Sequence, residues 1–265
     1  MTGCGSADGI GFASARLLAR LGGRVAITST TAERIEARAA ELRSDGAEVS
    51  AHVADLTDRE QAFDVVAAAR AAHGPIDVLV NAAGMVQTGT DPVSVPFAEL
   101  EPEGLQRELE ITLKTAFHTT QAALPAMAER RYGRVVMVSS VTGPLATTPG
   151  EAAYATAKAA MDGMMRTIAV EYGRLGITAN SVAPAWIATA SSLPYELEAG
   201  RHTPVGRPGT PDEVAGLIVY LASEEAGYVT GQSIVVDGGN VIQEPRGIDL
   251  YGPDPPAPGR GGILE

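Results

Sequence analysis

Short apolar runs of strand length alternate with helical segments along most of the chain, and that alternation restricts the possible folds more than any other feature. Ile76 to Val80 (IDVLV) and Gly133 to Ser139 (GRVVMVS) are the apolar runs expected of strands buried on both faces. Arg24 to Thr28, Glu48 to Val53, Ile177 to Val182 and Gln232 to Val236 read as further strands. Between them lie segments expected to be helical: Ile10 up to the Gly22-Gly23 stop, Ala32 to Ser44, and a helix from a Thr57–Glu60 capping box to about His73. A long helix is expected over about Glu103 to Arg130, its inner stripe formed by Leu105, Leu109, Thr112, Leu113, Ala116 and Phe117. Helices over Glu151 to Arg174 and from the Thr210 N-cap through about Ser223 complete the set. Strand and helix repeated in this order build parallel βαβ units, an α/β fold.

At 265 residues, with no shift in composition, the chain reads as one domain over residues 1–242 followed by an irregular Pro- and Gly-rich tail over residues 243–265. A net charge of −12 argues against nucleic acid or an anionic membrane as partner, since both require clustered Lys and Arg. The one cysteine, Cys4, excludes an internal disulfide, and no apolar run is long enough to span a bilayer, so a cytoplasmic location is expected. Two irregular segments are candidates for the substrate mouth: Met85 to Pro102, and Ser191 to Arg207, a candidate lid.

Chemistry-bearing residues fall where strands end and helices begin. Gly3, Ser6, Gly9, Ile10 and Gly11 form a Gly-rich loop running into a helix, which lets backbone approach a pyrophosphate beside a positive helix end. Asp55 follows the strand expected over Glu48 to Val53, able to accept from an adenine amino group or simply to form a turn. Asn81-Ala82-Ala83-Gly84 ends the IDVLV strand in small residues, leaving room for a ligand, with the Asn tying neighbouring strands or bordering that ligand. Ser140 closes GRVVMVS. Tyr154 and Lys158 stand one helical turn apart, so a phenol and an ammonium share one pocket, where a fixed cation lowers the phenol's pKa. The chain has two lysines, Lys114 and Lys158, against eighteen arginines. A Tyr four residues before a Lys is then expected about 0.05 times by chance, and a compact point charge has been kept where a guanidinium would not substitute.

Together with Pro184 to Thr189 and Val236-Asp-Gly-Gly239, these motifs in this order resemble a classical short-chain dehydrogenase/reductase over residues 2 to about 240, most like the 3-oxoacyl-[acyl-carrier-protein] reductases and related ketoreductases. The resemblance implies a doubly wound parallel sheet (Rossmann fold), a nicotinamide dinucleotide, and hydride transfer between it and a ketone or secondary alcohol. It implies that Tyr154 protonates the substrate oxygen, Lys158 holds the nicotinamide ribose and Ser140 hydrogen-bonds the carbonyl. Gly9 and Ile10 would line the pyrophosphate turn, Asp55 and Leu56 the adenine, Asn81 to Gly84 the adenosine side, and Pro184, Ile187 and Thr189 the carboxamide end. Thr28-Ser29-Thr30-Thr31 stands where an NAD-preferring site usually carries Asp or Glu, and with Arg34 beyond it favours NADP(H) over NAD(H), unless Arg34 lies on a solvated helix face. Implied partners are a small carbonyl or alcohol, carried as a carrier-protein or CoA thioester, and copies of the chain in a homotetramer or homodimer. No metal site is expected.

The chain also departs from the pattern. Thr112 stands where the family has a helix Asn in its proton relay, Ala185 replaces a usual Gly, and both the Gly-rich loop and the Gly84–Thr112 segment are long. The buried strand that should precede Thr2-Gly3 is missing, because only Met1 precedes it. That gap would leave two unpaired ladders unless the natural product starts upstream or another segment fills it.

Overall fold

The computed structural model describes residues 1–84 and 93–244. In chain order the elements are α1 (Ile10–Arg20), β1 (Val25–Ser29), α2 (Ala32–Ser44), β2 (Val49–Val53), α3 (Arg59–His73) and β3 (Val78–Asn81). They continue with α4 (Pro102–Glu108), a π-helical turn (Leu109–Lys114), α5 (Thr115–Arg130), β4 (Gly133–Val138), α6 (Ala152–Tyr172), β5 (Ile177–Pro184), α7 (Pro194–Arg201), α8 (Pro211–Ala222) and β6 (Ser233–Val236). Every strand pairing is parallel: β1 with β2, and β3-β4-β5-β6 in that order.

The gap between those two groups of strands is bridged by the first four residues. The Met1 amine donates to Ala26 O (2.9 Å), Thr28 N to Met1 O (3.1 Å) and Cys4 N to Thr28 O (3.0 Å), while on the other side Thr2 N donates to Val80 O (3.0 Å). Met1 to Cys4 therefore stands between β1 and β3, and the two ladders expected to be unpaired meet backbone partners there. No strand forms before α1, as the sequence leads one to expect, and the strands fall into the two groups β1-β2 and β3-β4-β5-β6, with the first four residues supplying backbone bonds to each group.

Along β4 the period of two divides the core. Val135 and Met137 face α5 and α6, packing with Ala123, Met127, Met161 and Met165, while Val136 and Val138 face α8, packing with Val214, Ile218 and Leu221. A separate cluster of Phe12, Val25, Ile27, Ile35 and Leu42 seals α1 and α2 against β1. Helices thus cover both faces of the sheet, and the carboxyl ends of all strands point to one edge.

Three local expectations are corrected. The N-cap of α3 is Asp58, whose carboxylate accepts from Glu60 N and Gln61 N, while Thr57 turns back to Asp55. Ser191–Arg207 contains a helix, α7, started by Pro194 at its first position. The helix expected over Glu103 to Arg130 widens into the π turn at Leu109–Lys114, which rotates the downstream face relative to a continuous α-helix. As a result Glu108, Ile111, Thr112, Thr115, Ala116 and Thr119 are buried, whereas Phe117, assigned to the inner stripe, is exposed. The 243–265 tail, from residue 245 on, and residues 85–92 of the first irregular segment lie outside the described residues.

Candidate active site

A crevice of about 620 Å³ runs across the carboxyl edge of the strands. One end is bounded by Ser29, Thr30, Arg34, Asp55 and Leu56; its floor is Gly3, Ser6, Gly9, Ile10, Gly11, Ala82, Ala83 and Gly84; its far end holds Ser140, Tyr154, Lys158, Pro184, Ile187 and Thr189. Nearly every candidate site residue read from the sequence therefore lines one continuous cleft.

The floor is shaped by close backbone approach. Gly3 has φ 69°, and a Cβ there would fall 2.4 Å from Ala82 O, so only glycine allows the first loop to lie on the end of β3. Thr2 Oγ1 locks the same junction, accepting from Ala82 N (2.9 Å) and Ala83 N (3.0 Å). No side chain caps α1 at Gly9 and no acidic residue lies in its first turn, so a positive helix end opens on the floor. A polyanionic pyrophosphate fits this cradle in both shape and charge.

At the first end, Asp55 Oδ1 is already held by Thr57 N (3.0 Å) and Thr57 Oγ1 (2.8 Å), which is the turn-forming role considered for it. Its carboxylate still lines the crevice. Arg34 is exposed at the rim, close to the glycine loop: a Cβ on Gly5 would lie 3.9 Å from Arg34 Cβ and 2.5 Å from Ser29 Oγ. Arg34, Ser29 and Thr30 thus line one corner of the cleft.

At the far end, Tyr154 and Lys158 lie on one face of α6, with Lys158 Nζ 5.6 Å from the centre of the phenol ring. Lys158 is 5 % exposed and donates to Val138 O (2.7 Å), while Ser140 lines the same end of the cleft and its Oγ accepts from Thr142 N (3.0 Å). The electrostatics reverse one expectation. Burial raises the Tyr154 phenol well above its ordinary value, the Ser140 hydroxyl opposes this, and Glu108, Glu151 and Glu196 push it up further. Lys158 does not prevail over these effects; it is itself driven down to about 8 by burial, with Glu108 and Asp162 working to keep it protonated. Burial therefore favours the protonated phenol over the phenolate.

Two candidates stand away from the crevice wall. Asn81 is 1 % exposed, donating to Thr120 Oγ1 (3.0 Å) and accepting from Thr119 Oγ1 (2.7 Å), so it ties β3 to α5. Thr112 is fully buried behind Gly84, where a Cβ would meet its Oγ1 at 3.2 Å, and it donates to Glu108 Oε1 at 2.6 Å. Sequence reasoning missed the carboxylates Glu108, Glu151 and Glu196, all of which line the cleft. Glu151 carried a signal, lying three residues before Tyr154; Glu108 carried none, because the π turn decides which way it faces. Among the described residues no cluster of acidic, His or Cys side chains could hold a metal, and no helix is long and apolar enough to cross a membrane.

Comparison with known proteins places this geometry. A family profile described as Enoyl-(Acyl carrier protein) reductase matches residues 3–240. A relative named Oxidoreductase UcpA from Salmonella typhimurium is 36% identical over 252 residues, spanning 91% of this chain and 93% of its own. The 3-oxoacyl-[acyl-carrier-protein] reductase FabG of Thermotoga maritima is 38% identical over 242 residues, spanning 90% and 96%. Among solved structures, a double mutant of a Serratia marcescens short-chain dehydrogenase/reductase superposes with a TM-score of 0.81 at 31% identity, covering 90% of this chain and 95% of its own.

Proposed function

Since the chain belongs to the short-chain dehydrogenase/reductase family and is an NAD(P)-dependent oxidoreductase, we propose that it reduces a ketone with NADPH, the ketone being a 3-oxoacyl thioester or a polyketide-like compound. The observation that carries this reading is the single cleft that joins the glycine cradle, the Arg34 corner and the Ser140–Tyr154–Lys158 group. The cradle and the α1 end would hold the pyrophosphate, Ser29, Thr30 and Arg34 a 2′-phosphate, and Lys158 the nicotinamide ribose. When bound, the dinucleotide supplies the hydride that adds to the carbonyl carbon.

The chain's own residues deal with the oxygen. Ser140 Oγ holds the carbonyl oxygen beside Tyr154, and the phenol gives it a proton as the C=O π pair moves onto that oxygen. A phenol kept neutral by burial suits this direction, because reduction needs an acid and alcohol oxidation needs a phenolate. Lys158, charged at neutral pH, stabilises the phenolate left behind.

One observation favours a second reading, oxidation of a sugar or other alcohol with NAD. Glu108, Glu151 and Glu196 surround Tyr154, and carboxylates accept hydrogen bonds from hydroxyl groups. A relative from Xanthomonas campestris, named 2-keto-3-deoxy-L-fuconate dehydrogenase, is 35% identical over 243 residues. A third reading is a cofactor-binding protein without turnover. Measuring kcat/KM for acetoacetyl thioesters and for a panel of secondary alcohols with NADPH and NADH separates the three. Thioester reduction with NADPH preferred at least tenfold is the expected result, and alcohol oxidation with NADH formation alone would select the second.

A further inference from the structure

Lys158 presents an electrostatic problem that the reaction itself does not explain. Its ammonium is 5 % exposed and donates to Val138 O at 2.7 Å, and burial disfavours its charged form. Two carboxylates act on it, Glu108 and Asp162. Asp162 sits one turn further along α6, and both of its oxygens are buried without a hydrogen-bond partner among the described residues. It does not line the cleft. Glu108, the last residue of α4, does line it, together with Tyr154 and Lys158, and is 4 % exposed.

Glu108 is also held in place. Its Oε1 accepts the Thr112 hydroxyl at 2.6 Å, a short contact of the kind made to an ionised acceptor, with Glu108 immediately before the π turn and Thr112 within it. The hydrogen bond thus spans the junction of α4 and the π turn and holds the carboxylate at the cleft. The remaining charges around Glu108 are Arg107 beside it on α4, which favours its ionised form, and Glu151 at the start of α6, which repels it; Glu196 on α7 joins these two carboxylates around Tyr154.

We propose that Glu108, held by Thr112, is a positioning residue that keeps Lys158 in its ammonium form inside the cleft that both residues line. The assignment rests on the reductase reading for its consequence, since a neutral Lys158 would neither hold a ribose by charge-assisted bonds nor stabilise the Tyr154 phenolate. The charge coupling does not depend on whether the protein reduces ketones. Burial of Glu108 opposes its ionisation, the Thr112 hydrogen bond, Lys158 and Arg107 favour it, and the pair Glu108–Lys158 is therefore mutually supporting. The sign follows: with Lys158 already down at about 8, loss of the anion lowers it again, and the ammonium fraction at pH 7–8 drops.

Having two lysines makes this directly measurable. Protein grown with lysine labelled at 13Cε gives two side-chain signals, and Lys114, exposed and paired with Glu110 at 3.1 Å, serves as the internal reference. In Glu108→Gln the proton affinity of Lys158 is expected to fall about tenfold, and the alkaline limb of kcat to move to lower pH by the same factor. Glu108→Asp should restore part of the shift, and Thr112→Val should produce a smaller one in the same direction. An unchanged Lys158 titration in Glu108→Gln overturns the proposal, as does a shift produced by Asp162→Asn and not by Glu108→Gln. Should Glu108→Gln fail to fold, Thr112→Val, which leaves the carboxylate in place, decides alone, and no shift there overturns it. A Lys158 shift in a protein that reduces no ketone would leave this coupling standing and reject the proposed reaction.

Discussion

The two ends of the crevice are built on different physics. At the Arg34 end the wall is backbone, glycine and short hydroxyl side chains, Arg34 is exposed, and one oxygen of Asp55 is occupied by its own turn. At the Tyr154 end three carboxylates, a phenol and the ammonium line one space, and all three carboxylates raise the proton affinity of the phenol. Exposed charges act nearly independently because solvent screens them. Buried ones titrate as a set. The first end should therefore tolerate single changes in a graded way, and the second should not.

Replacing Tyr154 by Phe tests the separation most severely. Turnover is expected to fall by about 10²–10⁴-fold with the loss of the proton donor, while dinucleotide affinity, measured by fluorescence titration, stays within a factor of two or so. Binding lost along with turnover would show that the two ends are not separable. Gly3→Ala probes the floor that joins them. With φ at 69° and the new Cβ directed at Ala82 O, it should destabilise the fold by about 1–3 kcal/mol, read as a lower urea midpoint at unchanged slope. A neutral result would mean that the loop can lift off β3 freely. The smallest effect belongs to the exposed corner: Arg34→Ala should raise the KM for NADPH about tenfold, or ~1.4 kcal/mol, with the NADH value and kcat unchanged. Equal behaviour toward both cofactors would place Arg34 on a solvated helix face.

Much of the fold was legible because its signals are local. Continuous apolar runs marked β3 and β4, the Thr210-Pro211-Glu213 box marked the start of α8, and Gly-rich punctuation marked α1. Where reading failed, something non-local had intervened. Phe117 was placed inward on a continuous helical period, and the π turn moved it out. Met1 to Cys4 forms no strand, but its backbone bonds to Ala26, Thr28 and Val80 lie between the two strand groups, contacts that no local pattern announced.

Residue types and spacing alone determined the α/β class, the Gly-rich loop opening α1 and the Tyr154–Lys158 pair, because each depends on neighbours within a turn or two of chain. Only the tertiary structure decided that Glu108, forty-six residues before Tyr154, shares its pocket, and that the phenol there is held neutral. The reason is that proton affinity depends on how much water a group has lost and which charges surround it, and both are properties of the packed assembly of α4, α6 and α7 around one cleft.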